Sequence, residues 1–195
     1  MTAKLFPVFS LRSTSRVVVL LVALALMQSA FATREASTQQ GQIVVSAFPE
    51  ARQALAPDSS WVSAGNSNFT GNVVMKSAFR QLSPARSYGA YVRFSQGART
   101  YWHMHPLGQT LLVVDGIGLT QARNPDGSLG PVVSVKAGDV VTCPPGIMHW
   151  HGASPDSPMT HLAISESDSK QPVVWMEPVD DKSYRDGAVK ALRNR

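Results

Sequence analysis

The sequence predicts an all-β domain, and three observations carry that reading. Apolar residues make up 44% of the 195 positions and charged residues only 16%, which suits a chain that buries a core. From Val73 onward, short segments rich in β-branched and aromatic residues alternate with Gly, Pro, Asn and Asp. About ten such segments fall in roughly 110 residues, the spacing of an antiparallel sandwich or small barrel. No sustained helical period interrupts them before the C-terminal tail.

Taken in chain order, the first element is a leader. Lys4, Arg12 and Arg16 precede the uncharged apolar run from Val17 to Met27, and Ala30 and Ala32 are spaced as an A-x-A cleavage site. A basic start, a short apolar run and small residues at the cut predict a secretory signal over 1–32, cut after Ala32. The mature protein is then periplasmic or secreted, with no membrane attachment once the signal is removed. Cleavage removes three of the 18 Lys and Arg residues, leaving 15 against 13 acidic ones. No basic cluster remains to suggest nucleic acid as a partner. The single cysteine, Cys143, rules out an intrachain disulfide and reads as a small buried apolar residue within "VVTCPP".

Residues 33–70 read as an N-terminal extension. "FPEARQALAP" suits one short helical turn, and the Ser-, Asn- and Gly-rich stretch after it suits a loop. The apolar residues of this extension, Trp61 and Phe69 among them, are expected to cap a barrel edge or meet a partner subunit. The β segments follow over 71–180: "VVMKSAFR", "GAYVRFS", "TYWHMH", "QTLLVVD", "GIGLTQA", "VVSVKAG", "DVVTCP", "MHWHGA", "THLAIS" and "VVWMEP". "NPDGSLG" is a hairpin connection, because Asp126-Gly127 tolerates positive φ. The tail, 181–195, predicts a short polar helix in "KSYRDGAVKALRNR".

All five histidines, 103, 105, 149, 151 and 161, lie within one 59-residue window. Residues i and i+2 of a strand share a face, so His103 pairs with His105 and His149 with His151. Closing the sheet lets the two pairs face each other. Converging imidazoles are strong ligands for divalent transition metals.

These residues carry a family resemblance. Gly97 to Gly116 follows G-x5-H-x-H-x3-E-x6-G with Gln109 in the Glu position. Gly138 to Ala153 follows G-x5-P-x-G-x2-H-x3-N with Ala153 in the Asn position. Both frames resemble the cupins, which implies a double-stranded β-helix, a small jelly-roll barrel, with a metal inside. "HPLGQTL", "HWHGA" and "MTHLAI", in a span from about Gly71 to Arg185, resemble the bacterial cupin hydroxynitrile lyases. That resemblance implies a manganese-dependent enzyme acting on (R)-mandelonitrile. Its metal ligands would be His103, His105, Gln109 and His149. His161 would be the base lining the pocket, with Ala90 and Val92 beside the substrate. Ser165 stands where those lyases carry Gln.

A neutral Gln109 leaves a divalent ion with its full charge, which lowers the pKa of a bound hydroxyl further than a Glu ligand would. Its carbonyl oxygen suits Mn(II), while three imidazoles also tolerate Fe, Co, Ni or Zn. The reaction expected is loss of the cyanohydrin hydroxyl proton to a neutral histidine as the C–C bond breaks, releasing aldehyde and cyanide. His161 is the first candidate for that base. His151 is either a second base or a residue that orients a ligand. Val92, Leu111 and Trp150 are expected to form apolar walls for an aromatic aldehyde. Two further readings stay open: a cupin dioxygenase using Fe(II), and a non-catalytic metal-binding cupin of the cell envelope. A homodimer or higher homo-oligomer is expected because cupins commonly pair through their sheets.

Overall fold

The computed structural model describes residues 56, 58, 60–168 and 171–193, all within one unit, Glu50–Arg195. The leader and most of the extension, including the expected helical turn, lie outside the described residues. Twelve strands run in order: β1 Val62–Ser63, β2 Phe69–Thr70, β3 Val73–Phe79, β4 Ser87–Phe94, β5 Arg99–Thr100 and β6 His103–Met104, then β7 Gln109–Ala122, β8 Val133–Lys136, β9 Val140–Cys143, β10 His149–Ala153, β11 Met159–Glu166 and β12 Val174–Trp175. One helix, α1 Asp181–Arg193, closes the described chain. Every strand pairing is antiparallel, in the order β1-β3-β4-β11-β7-β10-β5-β2, with β8 and β9 on the edges of β7 and β6 between β10 and β12. The curled sheet is the all-β barrel that the segment spacing predicts.

Two expected segments, "QTLLVVD" and "GIGLTQA", are one 14-residue strand. The first half of β7 pairs with β11 and β9, and the second half with β10 and β8. Glycine makes this turn from one layer to the other possible. Gly116 has φ +75°, and a Cβ there would collide with the Pro158 carbonyl oxygen. Gly116→Ala is therefore expected to cost about 3 kcal/mol, combining left-handed strain with a backbone clash. A chemical-denaturation midpoint unchanged from wild type would refute this.

Conversely, "TYWHMH" is broken into β5 and β6, which pair with different stretches of β10. The end of the extension joins the barrel. Val62 pairs with Met75 at the β3 edge, and Phe69 pairs with Thr100 of β5. Trp61 covers Tyr91 and Leu162 on the outer sheet face, with the Arg93 guanidinium 4.3 Å from its ring.

The interior holds one apolar cluster around Phe94, Val113 and Met159. A second cluster lies outside the barrel, where Trp102, Leu119 and Trp150 meet Tyr184 and Ala188 of α1. The Asp180 carboxylate accepts from the Ser183 N–H at 2.9 Å and caps the helix, while Asp181 and Arg193 complement its dipole. Arg99 anchors the helix: it donates to the Val179 carbonyl at 2.9 Å, pairs with Asp181, and lies 4.4 Å from the Tyr184 ring. The expected polar tail helix thus has a working apolar face. Cys143 is buried as expected, and burial pushes its thiol up to about 12. Among the described residues, no helix is long and apolar enough to cross a membrane.

Candidate active site

Strand register aligns the inward-facing side chains of β4, β11 and β7 in rows. Tyr88, Ser165 and Gln109 form the first row; Ala90, Ala163 and Leu111 the second; Val92, His161 and Val113 the third. Phe94 and Met159 lie beyond them. The alternate residues Gly89, Tyr91 and Arg93 face outward, as pleating demands. Small side chains at Ala90 and Ala163 leave open a cavity of about 140 Å³. Phe69, Phe94, Met75 and Trp175 give it an aromatic, apolar end, and Tyr88, Ser165 and Gln109 a hydroxyl and amide end. Among its lining residues there is no carboxylate and no Lys or Arg.

All five histidines are buried, none more than 5% exposed. His149 pairs directly with His103 across β10 and β6, which sets their ring centroids 4.3 Å apart. The His103 Nδ1 lies 3.0 Å from the Tyr101 carbonyl and the His149 Nδ1 lies 2.9 Å from that of Ile147. A carbonyl only accepts, so both Nδ1 atoms carry the proton and both Nε2 lone pairs are free for a metal. The ligand atoms of His103, His149 and His151 all lie within 4.8 Å of one another. The His105 ring stands 5.4 Å from that of His103 and 5.9 Å from that of His149, and its Nδ1 is buried without a hydrogen-bond partner. Gln109 reaches the same place, its Oε1 3.4 Å from the His149 Nε2. His103 and His151 line the cavity, while His149 lines a second one of about 250 Å³ beside Val133 and Cys143. The tightest triad therefore stands as a partition between two cavities.

These residues fit a divalent ion. Burial, reinforced by the neighbouring histidines, holds His103 and His151 well below their ordinary value. Burial also lowers His149, takes His105 to about 4 and takes His161 to about 3. All five imidazoles are consequently neutral at physiological pH, the form a metal needs.

His151 and His161 are joined by one hydrogen bond, Nδ1 to Nε2 at 3.3 Å, and their outer nitrogens, His151 Nε2 and His161 Nδ1, have no hydrogen-bond partner. The tautomers of the pair are therefore linked. When His161 Nε2–H donates to His151, the His161 Nδ1 is a free base and the His151 Nε2 carries a proton. When His151 Nδ1–H donates instead, the His151 Nε2 is a free ligand and the His161 Nδ1 is an acid.

Against the expected residues, the structure brings Ala90, Val92, Ser165 and His161 to the cavity wall together with His103, His105, Gln109 and His151. Two wall residues are corrected. Leu111 is buried between Ala163 and Val141, one strand further round the sheet, and does not reach the cavity. Trp150 lies between two inward histidines and so faces out, donating its Nε1–H to the Gln121 Oε1 at 2.9 Å and packing on Tyr184. The sequence reading missed Tyr88 and Phe94, although both are in step with Ala90 and Val92 on one strand face. It also missed Trp175, which pairs with His103 and meets its ring at 4.8 Å.

The Cupin domain family model matches residues 90–165. The chain is 49% identical over 117 residues to the (R)-mandelonitrile lyase of Granulicella tundricola, covering 60% of this chain and 86% of that protein. A cupin-like protein from Thermotoga maritima, known from its crystal structure, is 39% identical with a TM-score of 0.57 over 63% of this chain and 90% of its own. A cupin-2 domain from Rhodospirillum rubrum shares the fold at 17% identity and a TM-score of 0.52, over 66% of this chain and 88% of that one. With paired histidines on facing strands of a curled antiparallel barrel, and relatives at these identities, the chain belongs to the cupin family.

Proposed function

We propose that this cupin is a metal-dependent lyase that splits a cyanohydrin into aldehyde and cyanide, or joins the two, with an aromatic aldehyde as carbonyl partner. The observation that carries the reading is the His151–His161 pair, a neutral proton relay on the wall of an apolar cavity beside metal-type ligands. Likeness to a relative that is an (R)-mandelonitrile lyase supports the substrate class. The cavity of about 140 Å³ is close to the apolar core cavity of about 150 Å³ that accepts benzene, which leaves room for the aromatic ring.

His103, His105, Gln109 and His149 would hold the ion, with His151 Nε2 within reach. Mn(II) is the ion this reading favours, because an amide oxygen suits a hard ion and no thiolate lines the cavity, while the imidazoles also tolerate Fe, Co, Ni or Zn. When bound, the ion supplies Lewis acidity that lowers the pKa of a cyanohydrin hydroxyl. His161 Nδ1 takes the hydroxyl proton as the electrons of the C–C bond leave with cyanide and the oxygen becomes the aldehyde carbonyl. His151 Nδ1 accepts the His161 Nε2–H at 3.3 Å and steadies the imidazolium that results. An imidazole held near pKa 3 gives the proton up readily, from His161 Nδ1 to the departing cyanide, which leaves as hydrogen cyanide with the pair neutral and in its starting tautomer. The apolar walls keep water from competing for the proton.

His161→Ala is expected to lower kcat by about 10² to 10³-fold while metal content is retained. Turnover should also persist under argon, which separates a lyase from a dioxygenase. Oxygen uptake without aldehyde release from mandelonitrile would overturn the proposal.

The reading includes export, with the leader cut after Ala32 to give a periplasmic or secreted protein. It also includes a homodimer or higher homo-oligomer, supported by the exposed cross-strand pair Leu112 and Val140 on the outer sheet face.

A further inference from the structure

Apart from the histidines and Thr100, the polar side chains that line the cavity, Tyr88, Ser165 and Gln109, stand in one row of the sheet. Tyr88 lines the cavity, is half-buried, and its hydroxyl makes no hydrogen bond among the described residues. Ser165 stands directly opposite it on β11. The Ser165 Oγ accepts the Gln109 Nε2–H at 3.4 Å, so its own O–H is left to donate. Two hydroxyl donors thus stand side by side, one row beyond Ala90 and Ala163 and two rows beyond His161. The aromatic side chains Phe94, Phe69 and Trp175, with Met75, lie further along, where His103, His151 and His161 pack against Trp175 and Phe94.

A cyanohydrin of an aromatic aldehyde is apolar at one end and polar at the other. Its ring is apolar, its hydroxyl carbon lies in the middle, and its nitrile nitrogen is a terminal acceptor that donates nothing. Burying that acceptor without a donor would leave it unsatisfied. We propose that Tyr88 and Ser165 form an acceptor subsite for the nitrile end of the substrate, with its ring directed toward Phe94 and Trp175 and its hydroxyl toward His161. The assignment rests on the lyase reading for its substrate and adds two things to it: an orientation, and a specificity-determining role for Tyr88. The same donors would favour departing cyanide, because an anion accepts more strongly than a nitrile.

The test uses the intact Mn-loaded protein and two inert probes of equal heavy-atom count, phenylacetonitrile and propylbenzene, with binding read from tryptophan fluorescence because Trp175 lines the cavity. The nitrile probe shares the ring and the acceptor of mandelonitrile, and the hydrocarbon shares only the ring. Tyr88→Phe is expected to reduce the ratio of the two affinities about 5- to 10-fold, in favour of the hydrocarbon, and Ser165→Ala to reduce it similarly. Circular dichroism checks that each variant is folded. A ratio unmoved by both variants, or a wild-type protein that binds neither probe, overturns the subsite. The outcome is independent of turnover. A shifted ratio in a protein that releases no benzaldehyde would sink the lyase reading alone, and an unmoved ratio in an active lyase would sink this inference alone.

Discussion

Replacing His103 by alanine is expected to abolish divalent-metal binding and to reduce cyanohydrin turnover by about three orders of magnitude or more. His103 is the hub of the centre, with ring centroids 4.3 Å from His149, 5.1 Å from His151 and 5.4 Å from His105. Its Nδ1–H is fixed by the Tyr101 carbonyl, so its Nε2 is presented with little freedom left to lose. Alanine removes the lone pair, opens a gap against Trp175 and His149, and leaves the Tyr101 carbonyl without this donor. Metal analysis after gel filtration, with the EPR spectrum of Mn(II)-loaded protein, reads the first effect directly. Stoichiometric manganese in the variant would mean that the ion is held elsewhere. The wild-type melting temperature should also rise with added metal, and that of the variant should not.

The second large effect is acid destabilisation of the chelator-stripped protein. In the folded chain burial depresses all five histidines, His161 to about 3 and His105 to about 4. In the unfolded chain each returns to about 6.5. Between those values the unfolded state binds more protons, so stability rises with pH across the window. It is fully present above about pH 6.5 and drains away as pH falls toward the folded values. At pH 5 His161 alone accounts for about 2 kcal/mol, and its neighbours add to that. Urea midpoints of stripped protein should therefore be flat from pH 8 to 7 and fall steeply from 6.5 to 5. A midpoint independent of pH over that range would show that the imidazoles are not held neutral by burial.

Spacing in the sequence makes much of this site legible. The i, i+2 histidine pairs on strand-forming segments require inward convergence once the sheet closes, and His103 and His149 are paired residues in the structure. Gly116 and Gly138 were visible as fixed points of the glycine frames, and both hold positive φ. Which residues share a wall was less legible, because that depends on register between strands far apart in the chain. Alternation alone excludes Trp150, which sits between His149 and His151. The same alternation includes Tyr88 and Phe94, in step with Ala90 and Val92. Leu111 satisfies alternation and still misses the cavity, which Gln109, two residues before it on the same face of β7, does line. The grouping of His151 with His103 and His149 is three-dimensional, and no spacing distinguishes it from the grouping with His105. The unbroken β7 was hidden by the glycines that allow it to bend.

Cyanohydrin lysis at this histidine and glutamine centre, as proposed above, requires turnover that depends on the metal. The most direct test is benzaldehyde release from racemic mandelonitrile by Mn-loaded protein, compared with chelator-stripped protein and a matched buffer blank. Release above the blank should disappear on stripping and return when manganese is restored. Equal rates in all three samples would contradict it.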